Sequence, residues 1–381
     1  MKTARFREPK IRLCWVIAAC VVLAIGVILC LYTAQREERD CIGLQLQAAL
    51  RMEEAEAWLK QRILAKGIGI EKEDLNRTAL MGPEFTELTT TPGNEDAKRT
   101  ALNPNFAAAM VRWYTEAGLK AGDTIAIGTS GSFPGFIIAS TIAATVMELD
   151  VRLIASLGSS MHGATRLEYN VFDLLWDLRE GGWADFNLLA VSGGGKDDLG
   201  VSAFEDFLYE GTEEIFASLV DRAAERFGAE TIREETLTGS INRRQELYGD
   251  GIRLFVNIGG SAPNSGSSSY TLNFPQGLVL QSPEIPDVPD RGLNFEFAAR
   301  GIPVLNLLNV KLLAQENGIV YDSVPMERAG QSGVYASVSY NPAVIILTII
   351  LTVGILICGA VAGRIERRKL TRGCRPSSGD R

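Results

Sequence analysis

The sequence predicts an α/β domain built on a mostly parallel sheet with helices on both faces, flanked by an N-terminal and a C-terminal transmembrane helix. Three observations predict it. Two runs of twenty residues, Leu13 to Tyr32 and Ala343 to Ala362, contain no charged residue, and a helix needs about 20 residues to cross a bilayer core. Between them, short apolar segments alternate with Gly/Ser-rich loops and helical stretches, the rhythm of parallel strands joined by crossover helices. All six cysteines (Cys14, Cys20, Cys30, Cys41, Cys358 and Cys374) lie in or beside the apolar runs. The middle therefore has no disulfide framework and no thiolate metal site.

The first run is too long for the apolar core of a cleaved signal, and Tyr32-Thr33-Ala34 puts a bulky residue where cleavage needs a small one. Ile17-Ala18-Ala19-Cys20 resembles a lipoprotein cleavage box, but it lies inside the run, so Cys20 reads as a packing residue. Lys2, Arg5, Arg7, Lys10 and Arg12 precede the first helix; Arg364, Arg367, Arg368, Lys369, Arg372 and Arg375 follow the second. Basic flanks stay in the cytoplasm, so both termini are expected inside and the middle outside the cell membrane. The expected organisation is a basic cytoplasmic tail over 1–12, a membrane helix over 13–32 and a juxtamembrane helical segment over 33–80. An extracytoplasmic α/β domain over 81–338, a membrane helix over 343–362 and a basic tail over 363–381 complete it.

Of 38 basic and 46 acidic residues, twelve basic and three acidic ones fall in the two tails, leaving a net charge of −17 between them. Such a surface is not expected to bind nucleic acid. Gly359 to Gly363 spells G-x-x-x-G, a spacing that lets a second helix approach closely. It points to a membrane-embedded partner or a homo-oligomer.

Within the middle, residues 41–66 carry an apolar stripe at helical spacing that ends at Gly67, either a stalk or a helix lying on the domain. Residues 81–105 are turn-rich, and loops of that length are usually functional or disordered. Asn103-Pro104 opens a helix over 106–117. Strands are expected at 124–127, 151–157, 188–191, 252–258 and 303–307, with helices at 136–147 and 310–317. Thr165 and Glu168 have the spacing of a capping box for a helix reaching Glu180, and Ser202 and Glu205 for the next one. Residues 265–289 are polar and proline-bearing, a surface excursion.

The loops leaving the first four strands are GTSGSFPG, GSSMHGAT, SGGGKDDLG and GGSAPN. Ligands of open α/β sheets bind outside the carboxyl ends of the strands, glycine lets backbone come close, and serines add neutral donors. The candidate ligand-binding residues are Ser130, Gly131, Ser132, Ser159, Ser160, His162, Gly194, Lys196, Asp197, Gly260 and Ser261, with Asp198 and Asn264 beside them. Established motifs fail. Gly195-Lys196 is followed by Asp197 and preceded by Ala190, not the glycine of a nucleotide-binding P-loop. The first loop matches neither G-x-G-x-x-G nor the hydrolase elbow G-x-S-x-G. No cofactor is expected and no metal. His162 is the only histidine, so serine-type catalysis by Ser130 or Ser132 would have to draw on His162 or Lys196 as its base.

The stretches TTTPGNEDAKRTALNPN (89–105), GDTIAIGTSGSFP (122–134), SLGSSMHGA (156–164) and VNIGGS (256–261) together resemble the bacterial poly-γ-glutamate system protein family, over about residues 40–330. The resemblance implies an accessory role in the membrane machinery that makes and exports poly-γ-glutamate, and it carries no catalytic residues with it. Three functions stay open: an anchored accessory subunit that binds the γ-glutamate polymer or its end; a surface hydrolase or transferase acting on γ-glutamyl or related amide bonds; and a solute sensor coupled through the anchors.

Overall fold

The computed structural model describes residues 12–38, 40–201, 211–269 and 273–373. The basic residues before Arg12, the Ser202/Glu205 capping signal, Cys374 and Arg375 lie outside the described residues. The chain forms two compact units, one of residues 1–38 and 336–381, the other of residues 39–335.

In the terminal unit, helices Leu13–Tyr32 and Pro342–Ile365 are long and apolar enough to cross a membrane. The second continues to Gly373. The two pack side by side, and Gly26 is what permits it: a Cβ there would fall 2.2 Å from the Thr348 methyl. Gly359 is also buried in this unit. An antiparallel ribbon, Gln35–Glu38 against Ala336–Ser339, completes it.

The larger unit is built on seven strands: β1 Thr124–Ser130, β2 Asp150–Ser156, β3 Asn187–Ser192, β4 Glu230–Thr231, β5 Ile252–Ile258, β6 Gly277–Val279 and β7 Val304–Leu307. Their order is β6-β7-β5-β1-β2-β3-β4, parallel throughout except for the antiparallel pairing of β6 with β7. Alternate strand residues enter two separate cores, because side chains alternate across a sheet. Ile125, Ile127, Leu153, Ala155, Leu254 and Val256 pack on one face with helices Ile42–Ala65, Asn105–Glu116, Pro134–Val146, Val171–Glu180 and Thr212–Phe227. Ala126, Ile154 and Phe255 pack on the other with helices Leu237–Tyr248 and Gly292–Ala299. The mostly parallel sheet with helices on both faces is therefore as the sequence predicts.

Several details differ. Helix Ile42–Ala65 lies on the domain, with Ala48, Ala49, Met52, Ala55, Leu59 and Ile63 fully buried. The helix toward Glu180 starts at Val171, not at Thr165, because Asn170 and Asp173 form the capping box. The Thr165 hydroxyl instead donates to the Pro83 carbonyl at 2.7 Å. The turn-rich segment holds a short strand, Thr89–Thr91, and a helix, Glu95–Ala101. Its acidic first turn and basic last turn suit the helix dipole. The polar excursion contributes edge strand β6, and β4 also escapes the sequence pattern because it is only two residues long.

The strand order reverses at β1. From there β2, β3 and β4 run one way and β5 and β7 the other, so the connections leaving β1 and β5 diverge and open a crevice at their carboxyl ends.

Candidate functional site

The strand ends place hydroxyls in a row. Ser130, Ser156 and Ser192 stand in register as the last residues of β1, β2 and β3. Beyond them the loops are stitched together through their backbones. Gly131 N–H donates to the Gly158 carbonyl at 3.0 Å, Gly158 N–H to Gly193 at 2.9 Å, and Ala164 N–H to Gly131 at 2.8 Å. The segment Thr89–Thr91 adds a parallel pairing with Ser159–Ser160, which carries helix Glu95–Ala101 to the mouth of the crevice. Arg99 fixes that helix through a bidentate pair with Asp322 at 2.6 and 3.0 Å.

A cavity of about 500 Å³ lies where these parts meet. Ser130, Ser132 and Phe133 line it after β1, Gly158 and Ser160 after β2, Gly195 and Lys196 after β3, Gly260, Ser261 and Ala262 after β5, and Leu308 after β7. Thr90 to Asn94, Ala97 and Lys98 close the remaining side. All four Gly/Ser-rich loops thus reach one cavity. No Asp or Glu is among its described lining residues, whereas two lysines are.

Of the residues singled out by sequence, Ser130, Ser132, Ser160, Lys196, Gly260 and Ser261 line the cavity. Gly131 and Ser159 lie beneath it; Ser159 is fully buried, and its hydroxyl donates to the Ser160 carbonyl at 2.9 Å. Gly194 and Asp197 belong to the tight turn of the third loop, with φ of 75° and 55°. Asp198 is buried, and its carboxylate accepts from Ser192 Oγ (2.7 Å), Gly194 N–H (3.1 Å), Ser240 Oγ (2.7 Å) and Arg244 Nη2 (2.7 Å). It clamps the third loop to the sheet. Asn264 is buried and donates to Asn257, which donates to Asn306.

His162 does not line the cavity. It is buried with φ of 61°, and its Nε2 lies 3.8 Å from the Glu95 carboxylate. The serines bond to each other instead: Ser130 Oγ donates to Ser132 Oγ at 3.1 Å, and Ser160 N–H donates to the same oxygen at 3.1 Å. Among the described residues no hydrogen bond joins Ser130 or Ser132 to the side chain of His162 or Lys196.

The side chain that sequence reasoning missed is Lys98. It is 2% exposed, and its Nζ lies 2.6 Å from Ser160 Oγ, hydrogen-bonds the Ser132 carbonyl, and sits 3.8 Å from the Phe133 ring centroid. Burial lowers its pKa to about 7, because desolvation penalises the ammonium form. A lysine inside a turn-rich polar segment reads as a solvated surface charge. The pairing of Thr89–Thr91 with Ser159–Ser160 and the Arg99–Asp322 pair hold its helix so that it faces inward. Lys196, by contrast, is exposed at the rim. No protein-family model, no curated protein and no solved structure matches this chain.

Proposed function

We propose that the cavity binds the carboxylate-bearing end of a γ-glutamate chain, and that the protein is an accessory component of a poly-γ-glutamate synthesis or export system. In this reading the two apolar helices anchor the chain with both termini in the cytoplasm and the α/β domain outside. One observation carries the binding site: in a region of net charge −17, a cavity of about 500 Å³ at the strand carboxyl ends is lined by two lysines, hydroxyls and glycines together with apolar side chains such as Phe133 and Leu308, without a carboxylate among its described residues. An acidic surface repels polyanions, but screening confines that repulsion to roughly 8 Å at physiological salt. A short anionic segment held inside such a pocket meets Lys196 at the rim and the Ser130, Ser132, Ser160 and Ser261 hydroxyls within. The resemblance of the loop sequences to the poly-γ-glutamate system proteins supports the choice of ligand, and the basic flanks support the orientation.

Calorimetric titration of the full-length protein in detergent with γ-linked glutamate oligomers tests the reading. Saturable binding is expected, weakened about tenfold in Lys196→Ala, the equivalent of about 1.4 kcal/mol for one charge-assisted contact. Absence of binding at any salt concentration would sink it. Cysteine-accessibility labelling of Cys41 from outside intact cells checks the orientation.

A further inference from the structure

The geometry points to Ser160 and Lys98 as a nucleophile and its general base, which together cleave an amide bond of the ligand held in the cavity. The inference rests on that cavity being a ligand site. It does not rest on the ligand being γ-glutamate. The substrate class is a carboxylate-bearing amide, and water is the acceptor.

Four observations carry it. Lys98 Nζ is 2.6 Å from Ser160 Oγ, the reach a base needs for proton transfer. Lys98 is buried against the Phe133 ring and forms no ion pair with a carboxylate among the described residues. A lysine so placed is poised near neutral pH, and its pKa of about 7 agrees. A neutral amine has two protons and one lone pair. The Ser132 carbonyl accepts a hydrogen bond from one N–H, and the lone pair can face the Ser160 hydroxyl. Finally, Gly93 stands beside the nucleophile: a Cβ there would lie 3.2 Å from Ser160 Oγ and 2.8 Å from the Met161 carbonyl. Glycine keeps the approach to the hydroxyl open.

The step balances within these groups and water. Ser160 Oγ forms a bond to the amide carbonyl carbon as its proton passes to Lys98 Nζ, and the carbonyl π pair moves to oxygen. Ser132 Oγ already accepts two hydrogen bonds, so its own proton is available to that oxygen. Collapse breaks the C–N bond, and the leaving nitrogen takes the proton from Lys98. Water then adds to the Ser160 ester with Lys98 receiving its proton, the acyl C–O bond to Ser160 breaks, and Oγ regains the proton. The net change is amide plus water to acid plus amine.

The test treats the full-length protein in detergent with a fluorophosphonate across pH 5.5–9 and maps adducts by peptide mass spectrometry, alongside titration with γ-glutamate oligomers. One adduct on the Ser160 peptide is expected, its rate rising with pH and levelling above about 7. Ser160→Ala should abolish it. Lys98→Met should slow it about 100-fold, the low end for a lost general base, and remove the inflection. Ser160→Cys should restore labelling, now by iodoacetamide and still dependent on Lys98, which guards against a folding artefact. No adduct in the wild type, or an adduct indifferent to Lys98, overturns the pair even when the oligomer binds. An adduct with the expected dependence in a protein that does not bind γ-glutamate upholds the pair and removes the γ-glutamate reading instead.

Discussion

Asp198 and Arg244 meet as a buried ion pair, Nη2 to Oδ2 at 2.7 Å, with both side chains 2% exposed. The same guanidinium nitrogen reaches Ser192 Oγ at 2.7 Å and Ser156 Oγ at 3.2 Å. The pair therefore ties the ends of β2 and β3 to the loop that carries Lys196. Removing one partner strands the other charge away from water. Asp198→Ala should destabilise the domain by about 3–5 kcal/mol, read as a drop in the midpoint of urea unfolding. The loop that carries Lys196 would then lose its tie to the sheet at Ser192.

Lys98 makes stability depend on pH in a defined direction. Its pKa is about 7 when folded, against 10.5 for a free lysine. Between those values the unfolded chain binds a proton that the folded chain does not, so stability rises with pH across this window. Below about 7 both states are protonated, and the full cost of burying the charge is present. Lys98→Met should raise the melting temperature relative to wild type at pH 6, and the difference should shrink toward pH 10. A difference constant with pH would show that the ammonium is not desolvated.

Glu56 works in the opposite sense. It is buried on helix Ile42–Ala65, and its pKa is raised well above 4.5 by desolvation first and by Glu53 and Asp74 next. The folded state holds a proton that the unfolded state releases, so stability is greatest below about pH 4.5 and falls as pH rises above it. Glu56→Gln keeps the shape and removes the titration. The variant should gain on wild type between pH 5 and 8 in thermal unfolding.

Gly128 carries a packing prediction. A Cβ at this position in β1 would lie 2.6 Å from Asn264 Oδ1 and 2.9 Å from its Cγ. That amide is held in place by its hydrogen bond to Asn257 at 2.9 Å. Gly128→Ala should cost about 1–3 kcal/mol as an overpacking change. Asn264→Ala in the same chain should return part of that cost, so a double-mutant cycle gives a non-zero coupling.

The legible part of the fold was the alternation of apolar strands with Gly/Ser-rich loops and helices. Strands β1, β2, β3 and β5 are each six or seven residues long and largely apolar, because both faces of a parallel sheet are buried. Of the glycines and serines at their ends, Ser130, Ser132, Ser160, Gly260 and Ser261 line the cavity. Three things were not legible. Strand β4 has two residues, too few for any periodicity. Thr165 and Asn170 both offer helix caps, and the choice between them was made by Thr165 bonding to Pro83, 82 positions away in the chain. Lys98 faces inward on a helix held by the three-residue strand pairing with Ser159–Ser160 and by Arg99 bonding to Asp322, 223 positions away, and neither leaves a trace in composition.

The ladder of backbone bonds from Gly131 to Gly158 to Gly193 extends the sheet's rigidity past the last strand residues. A ligand entering the cavity meets a floor already ordered, so little loop entropy is lost on binding. New selectivity is then easiest to acquire at the exposed lining residues Pro92 and Asn94, whose side chains can change without unpicking the floor. Across related chains, the floor glycines and Gly93 should vary least and these two positions most.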